Sequence, residues 1–238
     1  MKTSACIHFA AVVLGTHLAA MAQGAAFQPL PQPDCFLSPT ALVASGDGKT
    51  LFIACAGANY ILRFDTANRR VLDSISVPES PSGLALSIDE RRLFVTCAAP
   101  QSVVCIIDVT QAIQSPASSD SSDRSNVSTP SLGAAAPQSR ILARIAAGHT
   151  AMAPVLSLDG KTLYVCNRFN NSVGVIDLAA KKAVCRIAVQ REPVAADLTK
   201  DGRHLLVANY LHTGRADVED VAAVVSVLDV AAGGGYAG

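Results

Sequence analysis

The chain has 238 residues, half of them apolar but only 5% aromatic, with no Trp. That is enough for one sizeable core or two small ones, built mainly from Ala, Val, Ile and Leu. Nineteen basic and nineteen acidic residues leave a formal net charge of zero, without the basic excess of a nucleic-acid binder. No apolar run reaches the ~18 residues of a membrane span.

Residues 1–22 have the layout of an export signal: Lys2 at the start, an apolar stretch from Ala10 to Leu14, and Ala20-Met-Ala22 as a small-residue cleavage site before Gln23. This predicts a periplasmic or secreted protein. A proline-rich lead-in follows over residues 23–38. Cleavage would leave six cysteines, at 35, 55, 97, 105, 166 and 185. An even number in an exported chain permits disulfides. Most of them lie inside apolar strand-like words without framework spacing, which places them instead as small core residues.

From Pro39 onward the sequence repeats. "KTLFIAC" (Lys49 to Cys55), "RRLFVTC" (Arg91 to Cys97), "KTLYVCN" (Lys161 to Asn167) and "RHLLVAN" (Arg203 to Asn209) each follow a turn that contains an Asp. Those aspartates, Asp47, Asp89, Asp159 and Asp201, are spaced by 42, 70 and 42 residues. The long interval holds a Ser-rich insert over residues 112–139, about 28 residues in surplus, with the composition of a disordered tether. Other columns keep step. Ser45, Ser87, Ser157 and Thr199 lie two residues before the Asp. Pro39, Pro81 and Pro193 lie eight before it, where the third unit has Ala151 and carries Pro154 nearby.

Each unit predicts four short strands. A first apolar piece such as "GLALS" (Gly83 to Ser87) turns through Asp-Gly into the repeated word. A third strand ends in Asp, as in "YILRFD", "VCIIDV", "VGVIDL" and "VSVLDV". A fourth follows a turn such as "TANRR" or "AAKK". Words such as "LYVC" are apolar without alternation, which means burial on both faces, as in small sheets stacked face to face. About 42 residues per four-stranded unit is the period of a β-propeller blade, and a blade cannot bury both faces without neighbours. The expected fold is all-β, a propeller of about four recognisable blades: roughly 39–78, 79–148, 149–190 and 191–230. The last is incomplete, because only "VAAGGGYAG" follows Asp229. This predicts a partial propeller, a truncated gene product, with a small four-blade ring as the alternative.

Tyr164-Val165-Cys166-Asn167, followed by Val175-Ile176-Asp177, resembles the bacterial YVTN propeller repeat, and the resemblance runs from Pro39 to Val230 apart from the insert. "GHTAMAPVLSLDGKTLYVCNRFNNSVGVIDL" and "GRADVEDVAAVVSVLDV" are similar to exported bacterial proteins whose propeller accompanies a c-type cytochrome or haem-peroxidase-like region. Such propellers also resemble the haem d1 domain of nitrite reductases. The resemblance implies a cytochrome partner. Cys-x-x-Cys-His is absent here, so any haem belongs to a partner or a missing region, and no cofactor is expected within the chain.

If the first strands run away from one face, the Asp-Gly and "ANRR" turns lie at the bottom. The loops after the second and fourth strands then lie at the top. That rim collects "GHTAMAP", "NRFNN", "QREP" and "NYLHTGRADVEDV". Long loops on a rigid scaffold are where function tends to sit. The candidate ligand-binding residues are His149, Arg168, Asn170, Arg191, Glu192, Asn209, His212, Arg215 and Asp217. Each has a plainer reading: Arg191 and Glu192 as an ion pair or as solvated side chains, the histidines as rim hydrogen-bonders rather than haem or metal ligands, and Asp217, Glu219 and Asp220 as a solvated loop rather than a calcium site. No nucleophile elbow, His-Glu-x-x-His or phosphate loop occurs. Two functions follow as expectations. One is a non-catalytic platform binding a protein partner or small ligand at its top face. The other is a propeller enzyme, lactonase-like or haem d1-type, with its site on the same rim.

Overall fold

The computed structural model describes residues 37–110, 140–211 and 224–230. The export signal, most of the lead-in, the Ser-rich insert, and the segment carrying His212, Arg215 and Asp217 lie outside the described residues.

Four antiparallel sheets follow one another along the chain. Blade 1 is β1 (Pro39–Ala44), β2 (Thr50–Cys55), β3 (Tyr60–Asp65) and β4 (Arg70–Ser76). Blade 2 is β5 (Pro81–Leu86), β6 (Arg92–Cys97), β7 (Val103–Asp108) and β8 (Ile141–Ala146). Blade 3 is β9 (Ala151–Leu156), β10 (Thr162–Asn167), β11 (Ser172–Asp177) and β12 (Lys182–Ala188). Blade 4 has three described strands, β13 (Pro193–Leu198), β14 (His204–Asn209) and β15 (Val224–Asp229). Every sheet pairs its strands in chain order. The first strands pack against one another, β1 on β5, β5 on β9 and β9 on β13. This is a β-propeller architecture. The insert joins β7 to β8, and its flanks are tied by the Asp108 N–H donating to the Arg140 carbonyl at 2.9 Å.

The repeated columns have a local cause. In each first turn a Ser or Thr hydroxyl donates to the turn Asp: Ser45 to Asp47 at 2.7 Å, Ser87 to Asp89 at 2.6 Å, Ser157 to Asp159 at 2.6 Å and Thr199 to Asp201 at 2.5 Å. The same Asp accepts the N–H two residues on, at 3.0–3.2 Å. Three of the turns use Gly at φ 68–70°, while blade 2 holds Glu90 at 56°. The Pro column opens the first strands, and each of these pairings shifts register just beyond it. Pro154 sits in that irregularity, where a missing N–H breaks no ladder.

All four turn carboxylates are held below their ordinary value of 3.8, first by the hydroxyl hydrogen bond and next by the backbone N–H. A depressed carboxylate stabilises the fold fully above 3.8 and loses that contribution as pH falls through the folded value. The thermal midpoint should therefore hold nearly constant from pH 6 to about 4 and drop below that. In a Ser45→Ala, Ser87→Ala, Ser157→Ala variant, scanning calorimetry over the same range should show a shallower acid limb.

Burial shows which blades lie inside the stack. In blade 2, Leu93, Val95, Val104 and Ile107 are fully buried, with Phe94 at 2% exposure. In blade 3, Leu163, Val165, Val173 and Val175 are buried likewise. Their strands are covered on both faces, as the unbroken apolar words predict. The strands at the ends of the stack, β1 and β15, instead alternate exposed and half-buried positions. Three apolar clusters fill the joints. One joins Phe52, Ile61 and Ile75 to Leu93, Val95 and Ile107. Another joins Phe94, Val104 and Ile106 to Leu163, Val165 and Ile176. The third joins Tyr164, Val173 and Val175 to Leu205 and Val207. Each such side chain contributes about 1.5–3 kcal/mol of transfer free energy.

The joints are close. At Gly83 an added Cβ would lie 2.5 Å from Pro154 Cδ and 2.8 Å from the Ala153 nitrogen, so β5 and β9 approach only because no side chain intervenes. Hydroxyls bridge the first strands, Thr40 donating to the Pro81 carbonyl and Ser82 to the Ala151 carbonyl, both at 2.6 Å. The joint between blades 1 and 2 also buries ions. The Asp73 carboxylate is fully covered and takes Arg63 at 3.0 Å and Arg140 at 3.1 Å.

Cys55, Cys97, Cys105 and Cys166 are buried free thiols in these strands, and Cys185 is half-buried. Burial pushes the Cys166 thiol up to about 12, so it behaves as a small apolar residue. Cys35 lies outside the described residues. Among the described residues no four-blade ring closes: Leu42 of blade 1 is 67% exposed and Val227 of blade 4 is 61% exposed. Among the described residues no helix is long and apolar enough to cross a membrane.

Candidate functional site

Antiparallel pairing in chain order sends the Asp turns and the β3–β4 turns to one end of the blades. The β2–β3-type loops and the entries to each first strand go to the other end. At that second end, blades 3 and 4 bring three loops together: the entry to β9, the β10–β11 connection and the entry to β13.

The β10–β11 connection is a single 3-10 turn over Arg168–Asn170, closed by Asn171 in the left-handed region at φ 49°. Asn and Asp enter that region more readily than most residues. The turn orients Arg168 toward the next blade, where Nε and Nη2 donate to Glu192 Oε2 at 3.0 and 2.8 Å. Glu192 is itself held at φ 55°, with its N–H donating to Asn171 Oδ1 at 2.9 Å. The same arrangement recurs at the joint between blades 1 and 2, where the Ser80 N–H donates to Asn59 Oδ1 at 3.0 Å.

Two aromatic rings flank the guanidinium. Its carbon lies 5.1 Å from the Phe169 ring centre and 5.7 Å from that of Tyr210. Both distances are within cation–π range. His149 stands edge-on to Phe169 at 5.3 Å. Its backbone N–H donates to Asn170 Oδ1 at 2.6 Å, and its Nδ1 lies 2.8 Å from the Thr150 hydroxyl. Phe169 is 53% and Tyr210 65% exposed. The Tyr210 N–H donates to the Glu192 carbonyl at 2.8 Å, which fixes the start of the segment after β14. The result is an exposed patch of His, Phe, Arg and Tyr around one partly buried ion pair.

Of the predicted site residues, His149, Arg168, Asn170 and Glu192 converge here. Arg191 is exposed at the patch edge. The Glu192 carboxylate pairs with Arg168 and not with its chain neighbour Arg191, which is left to solvent. Asn209 is 98% buried inside blade 4, where its amide donates to the Val207 and Val224 carbonyls and the Ser226 hydroxyl. It is therefore a structural residue of the blade. His212, Arg215 and Asp217 lie outside the described residues. Phe169 and Tyr210 did not figure among the sequence candidates. Their signal was present in "NRFNN" and "NYLHTG", as large apolar residues in loops otherwise polar. Among the described residues no group of three His, Cys, Asp or Glu side chains could hold a metal ion.

No family model matches the chain. No curated protein matches it either. Solved structures do. Hydrazine synthase of Kuenenia stuttgartiensis superposes with a TM-score of 0.64 at 20% identity, over 89% of this chain and 50% of that one. A 6-phosphogluconolactonase-type protein of Bacteroides uniformis gives 0.54 at 18% identity, over 72% and 47% of the two chains. The WD40 repeats of RRP9 give 0.54 at 17% identity, over 73% and 45%. At these identities the likeness is one of fold. The chain spans about half the length of each.

Proposed function

We propose that this chain is an exported propeller module of the YVTN type, periplasmic or secreted, which binds a protein partner through the rim around Arg168 and does no chemistry itself. The observation that carries this reading is the exposed aromatic–guanidinium patch. Tyr and Arg are the side chains that most often dominate binding energy, because they offer large, rather rigid contact area together with a polar handle. Glu192 and the two rings hold Arg168 in place before a partner arrives, so little side-chain freedom is lost on binding. The partner that fits the sequence resemblance is a c-type cytochrome, whose haem the partner would supply.

The test is surface plasmon resonance of the immobilised chain against a purified soluble bacterial c-type cytochrome. Arg168→Ala and Tyr210→Ala are each expected to weaken binding about 30-fold, corresponding to about 2 kcal/mol. An unsubstituted chain that binds no such cytochrome, or binding that neither variant changes, overturns the reading. A second reading places an enzyme on the same rim, with Glu192 and His149 as acid–base groups, and is favoured by the structural likeness to the lactonase-type propeller. Hydrolysis of 6-phosphogluconolactone that Glu192→Gln abolishes would establish it in place of the first.

A further inference from the structure

Each blade has a leading face toward the blade before it and a trailing face toward the blade after it. The trailing columns can be followed through all four. The column of Phe52, Phe94 and Tyr164 is 4%, 2% and 3% exposed in blades 1 to 3, but its blade 4 member Leu206 is 39% exposed. The column of Ile61, Val104 and Val173 is fully buried, but Val225 is 58% exposed. Ile106 and Val175 are 3% and 1% exposed, whereas Val227 is 61% exposed. Register pairs Leu206 with Val227 and Ala208 with Val225, so these side chains form one continuous apolar surface. Asp197 stands in the same cross-strand row, opposite Leu206, where the other blades hold Val43, Ala85 and Val155, whereas His204 and Asp229 pair at the strand ends beside the bottom turns.

The opposite end of the stack carries the complementary surface. Leu42, Leu51, Ile53, Leu62 and Phe64 form the leading face of blade 1. In the other blades, the columns of Leu51 and Ile53 hold Leu93, Leu163 and Leu205, then Val95, Val165 and Val207, all at 0–1% exposure. Leu51 and Ile53 themselves are only half-buried and Leu42 is 67% exposed, while Leu62 is covered at 7%. Among the described residues, one trailing face and part of one leading face are thus open, of the kind seated together three times internally.

We propose that two copies of this chain pair head to tail, the trailing face of blade 4 in each seated on the leading face of blade 1 in the other. The three internal joints identify what covers the exposed trailing face: a leading face bearing Leu, Ile or Val at these columns. Blade 1 of a second copy is such a face. The described blades of two copies number eight, two of them with three described strands, within the 4–8 range over which propellers close. A head-to-tail contact that closes gives a dimer with two identical joints, and one that does not close gives open chains.

The test is sedimentation-velocity ultracentrifugation of the full chain at tens of micromolar. The expected species has twice the 24.6 kDa chain mass. Val227→Asp and Leu42→Asp should each halve it. Both positions face solvent in the single chain, so the circular dichroism spectra should not change. Val225→Lys repeats the test with the opposite charge, in case one variant fails to fold. Mixing Val227→Asp with Leu42→Asp should restore dimers, because one joint of the mixed pair carries neither substitution. A monomeric unsubstituted chain, species larger than two copies, or a dimer indifferent to either Asp substitution would overturn the proposal. Failure to recover dimers on mixing would overturn it as well. None of these outcomes bears on cytochrome binding at Arg168.

Discussion

Asp73→Ala is expected to lower the unfolding free energy by about 3–5 kcal/mol, the usual loss when one partner of a buried ion pair is removed. Its side chain has no solvent exposure, while those of Arg63 and Arg140 retain 14% and 11%. Truncation would leave two guanidiniums facing each other with little water between blades 1 and 2. The neighbouring blade supplies the control. Register pairs Arg63 with Asp73 in blade 1 and Ile106 with Ala143 at the same columns of blade 2. Arg63→Ile combined with Asp73→Ala gives blade 1 the apolar pair that blade 2 already uses and leaves one guanidinium, Arg140, in the joint in place of two. Urea titration should find the double variant more stable than Asp73→Ala alone, with a coupling of about 1–3 kcal/mol. A double variant no better than the single one would mean that the ion cluster is not the cause.

Phe94→Ala is expected to cost a similar amount, about 3–5 kcal/mol, through lost transfer energy and the cavity left between blades 2 and 3. Phe94 is the largest of the fully buried side chains and lies in the joint with Leu163, Val165 and Ile176. The same column in blade 4 holds Leu206, which is partly open to solvent in the single chain. At dilutions where the chain is monomeric, Leu206→Ala should cost no more than about 0.5 kcal/mol, as surface substitutions do. Thermal and urea midpoints of the two variants measured side by side would show that the stability of a blade resides in its joints. Equal losses would contradict the stacking account.

Sequence periodicity made the architecture legible because each blade solves the same problem with the same local devices. The Ser/Thr hydroxyl, the turn Asp, the first-strand Pro and the strand-ending Asp act within a few residues of one another, so their physics appears as columns. The unbroken apolar words of β6 and β10 announced burial on both faces, since no strand with one wet face could carry them. The rim was legible only as a set of loops. Its chemistry depends on which side chains turn toward one another across a joint. Adjacency in the chain pointed to Arg191 with Glu192, whereas Glu192 meets Arg168, 24 residues away. Asn209 likewise stood among rim residues in the sequence, but its amide nitrogen donates inside the blade.

By itself, then, the sequence determined the strands, the blade period and the order of stacking, because these follow from hydrogen bonds and burial repeated at fixed spacing. Only the tertiary structure decided which faces of the stack remain open and which residues surround Arg168. Both are properties of surfaces on different blades, and nothing in the local pattern of one blade records what is laid against it.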